Sequence, residues 1–208
     1  MARGPGARVA PVRRLPGVEI IVIGSSWGGL SALELVLSGL PAGLPAAVVL
    51  AQHRSSGTSV DLAALLRKHT ALKVREVHDK DEVVPGWVFL APADYHLLVE
   101  PGSFALSVEG RVQFSRPSID VLFESAALSY GSRAVAVVLT GANTDGAAGM
   151  QAVKQAGGQT IVQDPLGAER STMPSAAVAT GAADHVVALA EIATLLVGLC
   201  AASGSAAR

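Results

Sequence analysis

Residues 18–29 read Val-Glu-Ile-Ile-Val-Ile-Gly-Ser-Ser-Trp-Gly-Gly, and this stretch decides the fold. Its first half is rich in Val and Ile without a regular polar alternation, which is typical of a strand buried on both faces of a sheet. Apolar side chains follow the glycine-rich turn at helical spacing, at Leu30, Leu33 and Leu37. A buried strand that runs through such a turn into a helix is typical of an α/β protein.

Other strand-like apolar runs recur along the chain and alternate with helical patterns. The runs are 46–50, 87–90, 134–139 and a weaker one at 160–162, and the helical patterns start near Thr58 and Ser118. This alternation predicts a doubly wound, mostly parallel sheet flanked by helices on both faces. Between about 70 and 115 the pattern changes to short alternating pieces with turn signals, which predict an antiparallel hairpin extension of the sheet.

Length and composition limit the classes of protein to consider. The 208 residues suit one domain, and a net charge of −1, from 16 Lys and Arg against 17 Asp and Glu, argues against nucleic-acid binding. The single cysteine, Cys200, excludes an internal disulfide and indicates a reducing compartment. No apolar stretch is long and unbroken enough to predict a membrane span. We predict a flexible basic tail at 1–16, a catalytic domain at 17–200 and a flexible tail at 201–208.

The glycine-rich turn at 24–29 has three candidate roles. It lacks the Gly-Lys-Ser/Thr ending of a P-loop, and Ser26 stands where a dinucleotide fingerprint needs its second glycine. The remaining match is G-x-S-x-G, the sharp turn that exposes a nucleophilic serine at a helix N-terminus. The structural alternative, which the turn alone does not exclude, is that Ser25 or Ser26 caps the helix.

Two further strand ends add to this candidate site. The second strand ends in His53, and the loop after the 134–139 run carries Asp145. Because the carboxyl ends of parallel strands lie along one edge of a sheet, Ser26, His53 and Asp145 are expected at the same rim. Together they would supply a nucleophile, a base and an orienting carboxylate. Viewed singly, His53 also suits a structural histidine, and Asp145 suits a cap of the following helix.

Other residues carry weaker signals. Trp27 lies inside the turn and suits either the mouth of a cleft or the core, and Arg116 suits either a substrate contact or a solvated loop. The remaining histidines show no metal-ligand spacing, so we predict no metal site. These histidines are His69, His78, His96 and His185.

Several separated blocks of the chain together indicate a known family. The blocks are Ile23–Gly29, Ala51–His53, Leu90–Pro92, Arg116–Phe123, Leu139–Gly141, Asp145–Met150 and Met173–Ala177. They resemble the catalytic domain of the CheB-type protein-glutamate methylesterases of bacterial chemotaxis, over residues 19–190. Ordered blocks are more specific than the serine turn alone. The resemblance implies a doubly wound α/β fold, and it places the family's nucleophile, base and orienting carboxylate on Ser26, His53 and Asp145.

The resemblance also implies an activity. It is the hydrolysis of γ-glutamyl methyl esters on the cytoplasmic helices of chemoreceptors, with release of methanol, and also deamidation of receptor glutamines. No metal or cofactor is needed, and the location is the cytoplasm. Backbone N–H groups of Trp27, Ala142 and Asn143 are the expected oxyanion donors, and Arg116 is an expected substrate contact.

The sequence departs from the family pattern at three places. Trp27 stands where a threonine or small residue is usual, and Ala142-Asn143 replaces a common Met-Gly. Typical members also carry an N-terminal receiver domain of roughly a hundred residues, which residues 1–16 cannot form. We therefore expect constitutive activity, a separate regulatory partner, or a chain cut from a longer protein. Two alternatives stay open, a serine esterase with a substrate outside chemotaxis and a non-catalytic adaptor that docks on receptors.

Overall fold

The computed structural model describes residues 17–54 and 61–204. The predicted basic tail at 1–16, the predicted helix start at Thr58 and the last four residues lie outside this range. The strands are β1 (Ile20–Ser25), β2 (Ala47–Gln52), β3 (Lys73–Glu76), β4 (Trp87–Leu90), β5 (His96–Glu100), β6 (Ser103–Ser107), β7 (Ala134–Val138), β8 (Gln159–Gln163) and β9 (His185–Val187). The α-helices are α1 (Gly29–Ser38), α2 (Leu62–Leu66), α3 (Ile119–Tyr130), α4 (Ala147–Gln155), α5 (Thr172–Ala179) and α6 (Leu189–Gly204).

Seven parallel strands form the main sheet in the order β3-β4-β2-β1-β7-β8-β9. The chain adds β2, then the edge strand β3, then β4 between them on one side of β1, and it adds β7, β8 and β9 in succession on the other side. The direction of winding therefore reverses between β1 and β7. The predicted doubly wound sheet is confirmed. In such sheets the ligand crevice opens at the carboxyl ends of the strands beside the reversal. Here those ends lead into the turn that carries Ser26 and the loop that carries Asp145.

Alternate side chains of each central strand enter two separate cores. Ile21 and Ile23 of β1 pack with α1, α2 and α6 on one face, and Ile20 and Val22 pack with α3, α4 and the β5–β6 hairpin on the other. All four are fully buried. Burying one large apolar side chain stabilises the fold by about 1.5–3 kcal/mol, which favours strands buried on both faces. Polar side chains are therefore left to the strand ends.

Two expectations for the ends of the fold need adjustment. The antiparallel hairpin is present, but β5 and β6 form a two-stranded sheet of their own, and β3 and β4 from the same stretch join the main sheet in parallel. Helix α6 continues to Gly204, four residues beyond the domain end predicted at 200. Within the described residues, no helix is long and apolar enough to cross a membrane.

Candidate active site

The turn after β1 presents Ser26 and not Ser25. Ser25 is fully buried and its hydroxyl donates to Gln52 Oε1 at 2.5 Å, whereas Ser26 is half-buried at the sheet edge. The N-cap of α1 is Gly28, and no side chain caps this helix. The capping alternative for either serine is therefore wrong. Gly28 has a φ of 75°, a left-handed conformation that suits glycine, and it lets the chain turn sharply into α1.

Gln52, the last residue of β2, ties the serine turn to the histidine. Its side-chain amide donates to the backbone oxygen of Ser26 at 2.8 Å and to that of His53 at 2.9 Å. The backbone N–H of His53 donates to the Ser25 oxygen at 3.0 Å and extends the parallel pairing of β1 and β2 by one residue. The two strand ends are thus held together by hydrogen bonds, as the parallel sheet predicts.

His53 and Asp145 are in direct contact, although they lie 92 residues apart. His53 Nε2 is 2.8 Å from Asp145 Oδ2, and the Asp145 side chain has no solvent exposure. A carboxylate accepts hydrogen bonds, so Nε2 carries the proton and Nδ1 is left with its lone pair. This arrangement fixes both the ring orientation and the tautomer of the imidazole, the two properties that a general base needs.

The N-terminus of α3 holds the Asp145 carboxylate. Oδ1 accepts from the Ser118 hydroxyl at 3.0 Å and from Asp120 N at 2.9 Å, and Oδ2 also accepts from Ile119 N at 2.8 Å. Burial raises the pKa of Asp145, but the hydrogen bonds from His53 and from the helix N–H groups outweigh it, and the net pKa lies below its usual range. Asp145 therefore stays ionised. It caps α3, so the expectation that it caps the helix following it in sequence is wrong.

Asp120 makes the reciprocal contact to α4. Its Oδ1 accepts from Gly146 N at 2.9 Å and from Gly149 N at 2.8 Å. The two helices thus exchange caps, since Asp145 precedes α4 and caps α3 while Asp120 lies in α3 and caps α4. Burial is the main cause that raises the pKa of Asp120 to about 6, and the negative charge of Asp145 adds to it.

The free nitrogen of His53 faces the loops at the sheet edge. The Ser115 hydroxyl lies 3.3 Å from Nδ1, and Asn143 Nδ2 lies 3.5 Å from it. Among the described residues, the Ser26 hydroxyl makes no hydrogen bond to His53. The structure thus places Asp145 against His53 and Ser26 at the adjoining strand end, with no hydrogen bond between the Ser26 hydroxyl and His53 among the described residues. Catalytic hydrogen bonds are often long before substrate binds.

Trp27 borders the site from the α1 side and is not a core residue. It is 60% exposed, its indole N–H donates to Glu169 at 3.0 Å, and the Arg170 guanidinium lies 5.4 Å from its ring centroid. The Thr140 hydroxyl donates to Trp27 O at 3.0 Å and joins this turn to the loop after β7.

The expected oxyanion donors lie on both sides of the site. In the part of the chain that the structure describes, the backbone N–H groups of Trp27, Ala142 and Asn143 have no protein acceptor. Unpaired N–H groups at the N-terminal end of α1 suit a developing negative charge. Their oxyanion role stays a prediction, and so does the role of Arg116 as a substrate contact.

A cleft of about 280 Å³ opens beside His53, and Arg116 lies in its wall. Arg54, Arg111 and Phe114 line the same cleft. The Arg116 guanidinium donates to the backbone oxygens of Val108 at 2.7 Å and Glu109 at 2.9 Å. Arg116 is therefore not a freely solvated loop side chain, since these carbonyls fix it at the wall of the cleft.

A family model described as CheB methylesterase matches residues 21–196. The chain belongs to the CheB methylesterase family. It is 42% identical over 182 residues to a putative protein-glutamate methylesterase/protein-glutamine glutaminase of Leptospira interrogans, covering 87% of this chain and 94% of that protein. The crystal structure of the Thermotoga maritima CheB methylesterase catalytic domain superposes with a TM-score of 0.83 at 36% identity, covering 87% of this chain and 98% of that one.

Other CheB relatives are longer than this chain. A protein-glutamate methylesterase/protein-glutamine glutaminase of Moorella thermoacetica is 41% identical over 196 residues, which are 92% of this chain but 46% of that protein. The chain spans 46–60% of the length of this and several other curated relatives. The CheB match agrees with the resemblance that the sequence blocks indicate.

Sequence reasoning missed three residues that organise the site. They are Gln52, Ser118 as a partner of Asp145, and Asp120. Gln52 could have been noticed because it is the polar last residue of the otherwise apolar strand β2. The start of α3 at Ser118 was predicted correctly. The contact of Ser118 with Asp145, 27 residues later in the chain, depends on the packing of α3 against α4. His96, left out of the chemistry, is buried and accepts from Ser118 N through Nδ1 at 3.2 Å, so it supports this helix start.

Proposed function

We propose that this protein is a serine esterase that hydrolyses γ-glutamyl methyl esters on the cytoplasmic helices of bacterial chemoreceptors. Membership of the CheB family and the names of its relatives support this activity. The observation that carries it is the hydrogen bond between His53 Nε2 and the buried Asp145 carboxylate, at the sheet edge that also holds Ser26. A non-catalytic adaptor has no need of a histidine held in one tautomer.

In this mechanism Ser26 Oγ attacks the ester carbonyl carbon while His53 Nδ1 takes the hydroxyl proton. The base is Nδ1 because Nε2 donates to Asp145. We expect the Ser26 hydroxyl to turn toward Nδ1 and displace the Ser115 contact when the ester binds. Asp145, ionised through its lowered pKa, then stabilises the imidazolium that forms.

The tetrahedral intermediate carries its negative charge on the former carbonyl oxygen. The backbone N–H groups of Trp27 and of the Ala142–Asn143 loop are the proposed donors to this oxygen. As the intermediate collapses, the imidazolium returns its proton to the departing methoxide, methanol leaves, and the glutamyl group remains as an ester on Ser26. A water molecule then attacks with His53 as base, and the glutamate carboxylate and Ser26 hydroxyl are regenerated.

The same steps deamidate a glutamine, with ammonia as the leaving group in place of methanol. The names of the relatives include protein-glutamine glutaminase, and we propose this second activity for the present chain. Because the substrate is a cytoplasmic helix of a receptor, we also propose that the protein acts in the cytoplasm. A separate regulatory protein is a further proposed partner.

Methanol release from receptor membranes methylated with a labelled methyl donor tests the proposal. The native protein is compared with Ser26→Ala and with Ser38→Ala, a control at the exposed end of α1. No phosphodonor is added. We expect release by the native protein and by Ser38→Ala, and a loss on the order of 10⁴-fold in Ser26→Ala. Full methanol release by Ser26→Ala would mean that another residue is the nucleophile. No release by the native protein would contradict the proposed esterase activity.

A further inference from the structure

The cleft beside His53 has a strongly one-sided charge. Arg54, Arg111 and Arg116 line it together with His53, and none of its described lining residues is acidic. An esterase whose reacting group is a neutral methyl ester does not itself need three guanidinium groups in this position. Their convergence on the cleft that His53 lines suits the binding of an anion.

Two of the three arginines already have carboxylate partners. Arg54 is paired with Glu76, and Arg111 lies 3.0 Å from Asp94. Arg116 differs from both, because its known contacts are the two backbone oxygens of residues 108 and 109. Among the described residues no carboxylate lies within 4.0 Å of Arg116.

The rest of the chain offers no acidic side chain to complete the pairing. Residues 1–16, 55–60 and 205–208 contain neither Asp nor Glu. The Nε–H of Arg116 is also buried without a hydrogen-bond partner. A half-buried guanidinium with no counter-ion is costly, and an incoming carboxylate would pair with its charge.

Phe114 gives the rim of this cleft an apolar contact. It is 95% exposed and lies on a tight turn where Gln113 and Phe114 both have positive φ, at 47° and 66°. The turn is held in place, because Gln113 donates to Asp120 Oδ2 at 3.1 Å and accepts from the Thr144 hydroxyl at 2.5 Å. An exposed phenyl ring on a turn whose backbone is held, in the same cleft as an arginine, suits one face of an amphipathic helix.

We propose that this cleft is a carboxylate subsite, in which Arg116, with Arg111 beside it, binds an acidic side chain of the substrate helix next to the glutamyl ester. The inference rests on the proposed function and narrows its substrate class to segments with an acidic neighbour of the reacting residue. His53 and Arg116 line one small cleft, so the two substrate side chains lie on one helix face. Residues three or four apart meet this requirement, because their Cβ atoms are about 5–6 Å apart.

The test uses helical peptides with one γ-glutamyl methyl ester. One set carries a single Glu at a position three or four residues before or after the ester, and the reference peptide carries Gln at all of these positions. The values of kcat/KM are measured by methanol release for the native protein, Arg116→Gln, Arg116→Lys and Lys68→Gln. Lys68 is exposed after α2 and serves as the control for loss of one positive charge.

For the native protein and Lys68→Gln we expect at least one acidic peptide to exceed the neutral peptide by about tenfold in kcat/KM, as for a charge-assisted hydrogen bond. The advantage should lie mainly in KM and shrink as salt is raised. It should vanish in Arg116→Gln and return in part in Arg116→Lys, which keeps the charge without the planar fork. The neutral peptide gives the reference rate of each protein, and the acidic advantage is the ratio of the two kcat/KM values within that protein.

The contrary outcomes separate the two proposals. Equal kcat/KM for acidic and neutral peptides in the native protein, with turnover intact, would overturn the subsite and leave the esterase standing. An acidic advantage that survives in Arg116→Gln would also overturn the assignment to Arg116. Hydrolysis of none of the peptides by the native protein would overturn the esterase and the subsite together.

Discussion

Replacing Asp145 with asparagine tests the centre of the proposed site. The carboxylate accepts four hydrogen bonds, two on each oxygen. His53 Nε2 and Ile119 N donate to Oδ2, whereas Ser118 Oγ and Asp120 N donate to Oδ1. An amide has one oxygen, so Asp145→Asn must turn an NH₂ group toward one of these two pairs of donors.

Both orientations of the new amide are costly. With NH₂ toward His53, the amide donates to Nε2, the ring proton moves to Nδ1, and the base is lost while Ile119 N is left without an acceptor. With NH₂ toward α3, the Ser118 hydroxyl can turn and accept, but Asp120 N loses its acceptor and His53 loses its carboxylate. One buried N–H is orphaned in each case, which costs about 1–3 kcal/mol of unfolding free energy. We expect turnover to fall on the order of 10³-fold or more.

The assay combines methanol release with urea denaturation at pH 7, and Asp61→Asn is the matched control. Asp61 also caps a helix, since it accepts from Ala64 N at 2.9 Å, but it is exposed, and among the described residues it makes no hydrogen bond to His53 or Asp145. Asp61→Asn should lose no more than about 1 kcal/mol and retain turnover. If Asp145→Asn retains turnover within tenfold of the native rate, the role of Asp145 in orienting His53 is refuted and only its capping of α3 remains.

Three further changes probe the same contacts. Ser115→Ala removes the hydroxyl that lies beside His53 Nδ1 and should change kcat less than tenfold. A loss of kcat as large as that of Ser26→Ala would indicate that Ser115 is the nucleophile. Gln52→Leu removes the amide that joins the Ser26 and His53 backbones and should lower kcat more than it raises KM; an unchanged kcat would contradict this role. The raised pKa of Asp120, about 6, means that the folded state binds an extra proton at this carboxyl between about pH 4 and 6, so the contribution of Asp120 to stability falls as the pH rises through this range. Asp120→Asn should therefore gain about 1 kcal/mol relative to the native protein between pH 5 and pH 8 in urea denaturation, and a difference that does not change with pH would refute the shift.

The central part of the fold was predictable because its strands are buried on both faces. β1, β2 and β7 are continuous apolar runs, and burial of that kind leaves an unambiguous pattern in the sequence. The edge strands β3 and β9 were missed, since they are only 4 and 3 residues long and are not fully buried. Short, partly exposed edges carry too few apolar positions to show a period.

The candidate site was predictable only to the extent that topology determines it. The rule that parallel strand ends share an edge was sufficient to bring His53 and Asp145 together. It did not predict which helix Asp145 caps or which nitrogen of His53 is left free. Both depend on the docking of α3 against α4 and on side-chain orientation, which no local pattern encodes.

The exchanged caps make the catalytic base depend on the packing of two helices. A Cβ at Gly149 would lie 2.5 Å from Phe123 Cβ and 3.2 Å from Asp120 Cα, so α3 and α4 approach too closely for a larger residue. A substitution that separates them would draw the α3 N-terminus away from Asp145 and release His53, so activity and stability should fall together. The side chains of Phe114 and Arg116 line the cleft with His53 but, among the described residues, make no hydrogen bond to it. Substitution of these two side chains should alter which helical substrate is bound while the base remains in place.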